Sequence, residues 1–318
     1  MTEGPLRGEA FLASLKGASV TVIGLARETT AVVRLLHAAG AHVRVEPVFT
    51  TADLTAEQLI VITAAASLDS SALTAARAAG VTVLGDLDLG WCATEADAIA
   101  VAGGPLARAA VRFARAVLAR PGRPILTSGG SEPELVACAP GFGGNGLLLV
   151  EPSPAQLATA QLFRPRVAAV VGGIGGHLSS IEWLFARQTP NDCVVLDADN
   201  ADTRTLARHA RSRVLWCSAT GPVDHGVYVA RDRITARFAD HVEDICPVEG
   251  VPRHVMPAAL AAVACALWAG MAPATIGAAL IPGRLGALVR PTAEGPTAVA
   301  APVDLWTSRR IHLSVGTP

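Results

Sequence analysis

Short apolar runs recur along this chain, and most are followed by a turn and then by a stretch whose apolar residues return every three or four positions. The first such unit is Val20-Thr21-Val22-Ile23 as a buried strand, a helix over 29–39 stopped by Gly40, and the strand His42-Val43-Arg44-Val45. Leu59-Ile60-Val61-Ile62-Thr63 and Val81-Thr82-Val83-Leu84-Gly85 read as further strands, with a helix over 70–79 between them. Strands that alternate with helices across short turns predict a parallel sheet. The pattern therefore predicts an α/β chain that opens with a Rossmann-like parallel-sheet domain over 1–95.

The alternation resumes with a strand over 98–101, the turn Gly103-Gly104, and an Arg/Ala-rich helix to Arg120 that Pro121-Gly122 stops. Strands follow over 124–127, 147–150 (running into Glu151), 167–171 (running into Gly172-Gly173-Ile174-Gly175-Gly176-His177), 193–196 (ending at Asp197-Ala198-Asp199-Asn200) and 214–217. The alternation in Val227-Tyr228-Val229-Ala230 predicts an antiparallel hairpin within 226–238. Residues 255–280 carry no charge, but Gly270 and Pro273 break the run, so two buried helices are expected there instead of a membrane span.

At 318 residues, 51% hydrophobic and 17% charged, the chain is long and apolar enough for two domains with real cores, which excludes a disordered or fibrous class. A net charge of −1 without a basic face predicts no nucleic-acid partner. The six cysteines form no C-x-x-C pair, so neither a zinc site nor a short disulfide scaffold is expected. Residues 1–16 lack the charged-then-apolar layout of a leader, and a cytoplasmic location is the expectation.

Two turns are candidates for chemistry. After Ile23, the turn Gly24-Leu25-Ala26-Arg27-Glu28-Thr29 keeps only the first glycine of a dinucleotide fingerprint, so a ligand at this helix start and a bare tight turn both stay open. The stretch 99–111 has the layout of a phosphate-binding loop: an apolar strand end, Gly103-Gly104, then a helix. Where such a loop carries its lysine and its metal-binding hydroxyl, this chain has Ala107 and Arg108. Lys16 is the only lysine in the 318 residues.

Several stretches, in order, resemble the Mur ligase family over about residues 19–285. VTVLGDLDL (81–89) is similar to the family's strand leading to the phosphate loop, and 99–109 falls where I-A-V-T-G-T-N-G-K-T-T belongs. TSGGSEP (127–133) stands where the family has G-G-N-I-G-T-P, and EPSPAQL (151–157) is similar to E-L-S-S-F-Q-L. Residues 172–178 replace N-I-S-P-D-H-L, keeping His177 and Leu178. QTPND (188–192) with VVLDADN resembles Q-T-P-D-D with V-L-N-A-D-D, and Pro252-Arg253-His254 with Ala259-Leu260-Ala261-Ala262 resembles G-R-H-N-x-x-N-A-L-A-A. Within the family the likeness is to the members that add D-glutamate to UDP-N-acetylmuramoyl-L-alanine.

The resemblance implies a P-loop-like central α/β domain over 96–285, with 286–318 as a remnant tail in place of the family's last domain. It implies a UDP-sugar site at Gly24, Leu25 and Glu46, a nucleotide turn at Gly103, Gly104, Ala107 and Arg108, and Glu151 and His177 as remaining metal ligands. Those two are also readable as a carboxylate and an imidazole left solvated at strand ends. Making an acyl phosphate requires a lysine at the phosphates and metal between them, and each is altered here. The expectation is a Mur ligase-like binding or scaffold protein whose partner is a UDP-sugar precursor or another cell-wall enzyme. The alternative is an active ligase using ATP and Mg with an unusual site.

Overall fold

The structure, a computed structural model, describes residues 5–48, 50–63, 70–174, 177–239 and 241–280. Helix α1 (Gly8–Ser14) buries Phe11 ahead of β1 (Ser19–Ile23). Strand β1 pairs in parallel with β2 (His42–Glu46) and with β3 (Leu59–Ile62), and β3 pairs with β4 (Thr82–Gly85), giving a four-stranded sheet in the order β2-β1-β3-β4. The crossovers are α2 (Ala26–Ala38) and α3 (Ser71–Ala78). Helix α2 starts at Ala26, earlier than the periodicity suggested, with Leu25 extended as its N-cap and Glu28 in its positively polarised first turn. In α3 the Ser70 hydroxyl accepts the Leu73 N–H, a side-chain cap of the usual kind.

The stretch 81–89 does not run on as one strand. It turns at Gly85 into α4 (Asp86–Cys92), every residue of which is buried. The cause is Asp88, whose fully buried carboxylate accepts four main-chain N–H groups: Gly85 (3.1 Å) and Gln161 (2.6 Å) on Oδ2, Leu162 (2.9 Å) and Phe163 (2.8 Å) on Oδ1. One of these bonds folds the chain back onto Gly85. The other three tie α4 to a loop of the next sheet.

That sheet contains β5 (Asp97–Ala102), β6 (Ile125–Gly129), β7 (Leu147–Glu151), β8 (Val167–Val170), β9 (Cys193–Asp197), β10 (Arg213–Ser218), β11 (His225–Ala230), β12 (Arg233–Phe238) and β13 (His241–Pro247). Among the described residues it has nine strands in the order β13-β12-β11-β10-β9-β8-β5-β7-β6. Strands β5 to β11 pair in parallel, and β11-β12-β13 form an antiparallel meander. The predicted hairpin is present, closed by Arg231 and Asp232 with φ of 47° and 59°, the left-handed pair that a two-residue hairpin turn demands. Strand β13 escaped the sequence pattern because its residues 241–244 are mostly exposed and polar.

The helices between these strands are α5 (Pro105–Leu118), α6 (Leu135–Cys138), α7 (Pro154–Thr159), α8 (Leu178–Glu182) and α9 (Ala201–Leu206), followed by α10 (Met256–Trp268) and α11 (Pro273–Ala279). The uncharged stretch is thus two helices joined by a turn, as expected. Its alanines let α10 lie close against α5, β9 and β10, where residues 258–266 are wholly buried. No helix among the described residues is long and apolar enough to cross a membrane.

The two faces of the large sheet belong to different clusters. Ile99, Val101, Leu149 and Val195 pack with α5 and α10. Ala98, Ala100, Leu148 and Val194 share a continuous cluster with α4 and with Val20, Val22 and Val61 of the first sheet. The two sheets are therefore joined by one apolar core that α4 threads. Replacing Asp88 with Asn leaves N–H groups facing an amide; we expect a loss of ~3 kcal/mol of unfolding free energy, read from the midpoint of urea denaturation.

Candidate functional site

In an open parallel sheet, ligands collect outside the carboxyl ends of the strands, where the chain's direction of winding reverses. Here that place is β5. From β5 the chain moves outward to β6, returns through β7 to its side, and then crosses to β8 on the other side. The carboxyl end of β5 carries Gly103-Gly104, that of β7 carries Glu151, and that of β8 leads through Val171 into Gly172-Gly173.

Helix α5 begins directly after the turn, with Pro105 at its first position and an amphipathic face buried by Ala110, Phe113, Ala114 and Val117. Gly103 has φ +129°, and a Cβ there would overlap the Val171 carbonyl oxygen. The turn is thus pressed onto the exit of β8. Ala107 is buried in the first turn of α5, while Arg108 is half-exposed and points to the end of β7, with Nε 3.6 Å from Glu151 Oε2. Burial pushes the Glu151 carboxyl above the usual carboxylate range, and Arg108 pulls it back.

The structure thus brings two of the predicted site residues, Arg108 and Glu151, into contact. It does not join His177 to them: His177 is exposed at the N-cap of α8, and among the described residues no hydrogen bond or ion pair links it to Glu151. No group of three or more His, Cys, Asp or Glu among the described residues is placed to hold a metal. The donor set does not fit Mg²⁺, which requires several oxygens around it. The hydroxyl expected next to the turn is an arginine, and the one carboxylate is already paired with it.

In the first sheet, the Gly24 N–H donates to the Glu46 carbonyl (3.2 Å), so these two predicted residues do meet, through the backbone. The Glu46 carboxylate faces inward to the Thr50 hydroxyl (2.9 Å) and to Arg44 (3.6 Å); Leu25 is exposed. The Thr63 side chain fills the space beside Gly24 and donates to Glu28 Oε2 (2.8 Å) at the start of α2. A carboxylate of the chain itself thus sits at the helix N-terminus where a phosphate would sit. Residues 64 and 65, which follow Thr63, lie outside the described residues, as does the predicted tail 286–318.

Sequence reasoning missed a line of acids between the sheets. Burial pushes the Asp86 carboxyl up to about 6, with repulsion from Glu134 and Asp88 added and hydrogen bonds from Gln156 Nε2 (3.1 Å) and the Leu87 N–H (2.8 Å) opposing. Glu134 is raised as well, by burial and then by Glu28. The signal was legible in part, since Asp86 and Asp88 alternate with leucines in an otherwise apolar run. A second cleft, of about 410 Å³, lies beyond β9 and β10, where Asp199 accepts bonds from Ser218 Oγ (2.8 Å), the Ala219 N–H (2.6 Å) and Thr220 Oγ1 (2.6 Å).

These features define an α/β protein with a Rossmann-like parallel sheet joined to a larger P-loop-like one. No family model matches the chain. It is 27% identical over 299 residues to the UDP-N-acetylmuramoylalanine–D-glutamate ligase of Koribacter versatilis, covering 82% of this chain and 66% of that protein. It is 29% identical over 221 residues to the ligase of the same name from Pelotomaculum thermopropionicum, covering 65% and 49%. Its fold is similar to that of a solved UDP-N-acetylmuramate:L-alanyl-gamma-D-glutamyl-meso-diaminopimelate ligase from Neisseria meningitides, with a TM-score of 0.51 at 16% identity, over 86% of this chain and 98% of that one. In sequence and in fold the chain is similar to Mur ligases, its sequence likeness being to the D-glutamate ligase members. It spans half to two thirds of the length of these curated relatives.

Two measurements test this geometry. Gly103→Ala strains the backbone and drives a methyl group into the Val171 carbonyl, so we expect a loss of about 3 kcal/mol by denaturant unfolding. Asp86 has its folded carboxyl raised to about 6 from 3.8, so its contribution to stability is fully present below pH 3.8 and is lost as pH rises through about 6. Glu134 adds to the same trend. Asp86→Asn should flatten this fall by ~3 kcal/mol between pH 4 and 7, measured as unfolding free energy against pH.

Proposed function

We propose that this chain is a Mur ligase relative that keeps the ligase architecture as a binding or scaffold module and does not form an amide bond at the expense of ATP. The observation that carries this is the turn after β5: Ala107 is buried where the phosphate-binding lysine belongs, and Arg108 is committed to Glu151. The one lysine of the 318 residues, Lys16, lies in the turn before β1, on the amino-terminal side of a strand of the other sheet. Stabilising the charge that develops on a transferred phosphoryl group requires cations aimed at it. A single arginine already facing a carboxylate is poorly suited to that work.

The first sheet supports the same reading. There Glu28, accepting from the Thr63 hydroxyl, puts a carboxylate of the chain itself at the start of α2, so turnover chemistry on a phosphate is not what this helix start serves. The partner that fits the family context is a UDP-sugar precursor bound without turnover, or another enzyme of cell-wall synthesis. With UDP-N-acetylmuramoyl-L-alanine, D-glutamate, ATP and Mg²⁺ together, we expect no phosphate release above the rate without protein, and no rise of the melting temperature with Mg·ATP. Phosphate release that requires both ATP and D-glutamate would establish the other reading, an active ligase built around Arg108, Glu151 and His177.

A further inference from the structure

The residues at the β5 turn disagree with a divalent metal in a specific way: they supply the positive charge from the chain. We propose that Arg108 is a resident cation, held on Glu151 in the position of a dissociable metal ion, so that this site takes up no divalent metal. The proposal extends the reading that the turn has lost its ligase chemistry, and names what replaced it.

Three observations support it. Glu151 ends β7 on the rim of the crevice and is mostly buried, with 17% of its side chain exposed, and a carboxylate so placed needs a counter-charge. Its partner is Arg108, whose Nε lies 3.6 Å from Oε2 and whose side chain starts in the first turn of α5, directly behind Gly103-Gly104. The same oxygen lies against the backbone of the turn after β6, where a Cβ on Gly130 would overlap Oε2. With main chain and guanidinium both against Oε2, that oxygen is closed to an incoming cation. A guanidinium also cannot dissociate, and it stays charged at any pH a protein meets.

The test uses Mn²⁺ alone as the probe, followed by water-proton relaxation on the full chain, with no nucleotide present. The unsubstituted protein should show no saturable binding tighter than about 1 mM, the weak end of protein sites for hard cations. Arg108→Thr removes the resident charge and restores a hydroxyl beside a freed carboxylate; Mn²⁺ should then bind at least about tenfold tighter and be displaced by Mg²⁺. The double variant Arg108→Thr/Glu151→Gln should lose that gain. Arg108 is half-exposed, and circular dichroism confirms folding of each variant before titration.

The proposal is overturned if the unsubstituted protein binds Mn²⁺ and Glu151→Gln abolishes it, or if folded Arg108→Thr binds no more tightly than the parent. Mn²⁺ uptake does not depend on turnover. A protein that releases phosphate with ATP yet takes up no Mn²⁺ in its absence would sink the functional reading and leave the resident cation standing, and the converse result would do the reverse.

Discussion

The buried carboxylate of Asp88 is the constraint on which the arrangement of the two sheets rests. A charge with no solvent contact is tolerable only when hydrogen bonds replace its hydration, and here four main-chain N–H groups do so, one from the end of β4 and three from consecutive residues after α7. The pairing fixes α4 as a helix and not an extension of β4. It also sets Leu87, Leu89 and Trp91 into the cluster that spans both sheets. The placement of the two sheets is therefore a property of packing.

Two residues earlier, Asp86 has the same burial and far less compensation. Gln156 and a single main-chain N–H face it, and Glu134 lies near enough to repel it. Glu28 extends the acidic line to the start of α2, where the Thr63 hydroxyl holds it. At the far side, Arg108 meets Glu151 at the exit of β5. A negative group thus sits at the start of α2, and a positive one is paired with the carboxylate that ends β7.

The sheet was largely legible in the sequence, because β1, β3, β8 and β9 are continuous apolar runs and a strand buried on both faces needs nothing else. Strand β13 was not, since an edge strand with exposed His241, Val242 and Asp244 has no core-facing alternation over its first half. The strand's end at Gly85 was legible, but the helix after it was not: Asp86 and Asp88 alternate with leucines, and only the long-range bonds to 161–163 show that the segment is helical. Of the site, Arg108 and Glu151 could each be named from the resemblance, but their contact depends on β5 and β7 lying side by side, which periodicity does not reveal. The Thr63–Glu28 bond was invisible for the same reason, and of the acidic line only Asp86 and Asp88 stood out, its approach to Glu134 and Glu28 being tertiary.

That limit bears on what a glycine-rich turn can signify. The positive φ of Gly103 and its contact with the Val171 carbonyl require glycine whether or not a phosphate is ever bound, because β5 and β8 are neighbours and the turn has to pass between strand exit and helix start. A side chain at that position would be excluded by the fold alone. The lysine and the hydroxyl of a phosphate loop have no such packing role, since they project toward the ligand. On the reading proposed above, packing keeps the glycine while the two functional side chains are free to change, and Gly103 followed by Ala107 and Arg108 agrees with that reading. The turn therefore testifies to shared architecture, and the question of function falls on the side chains beside it.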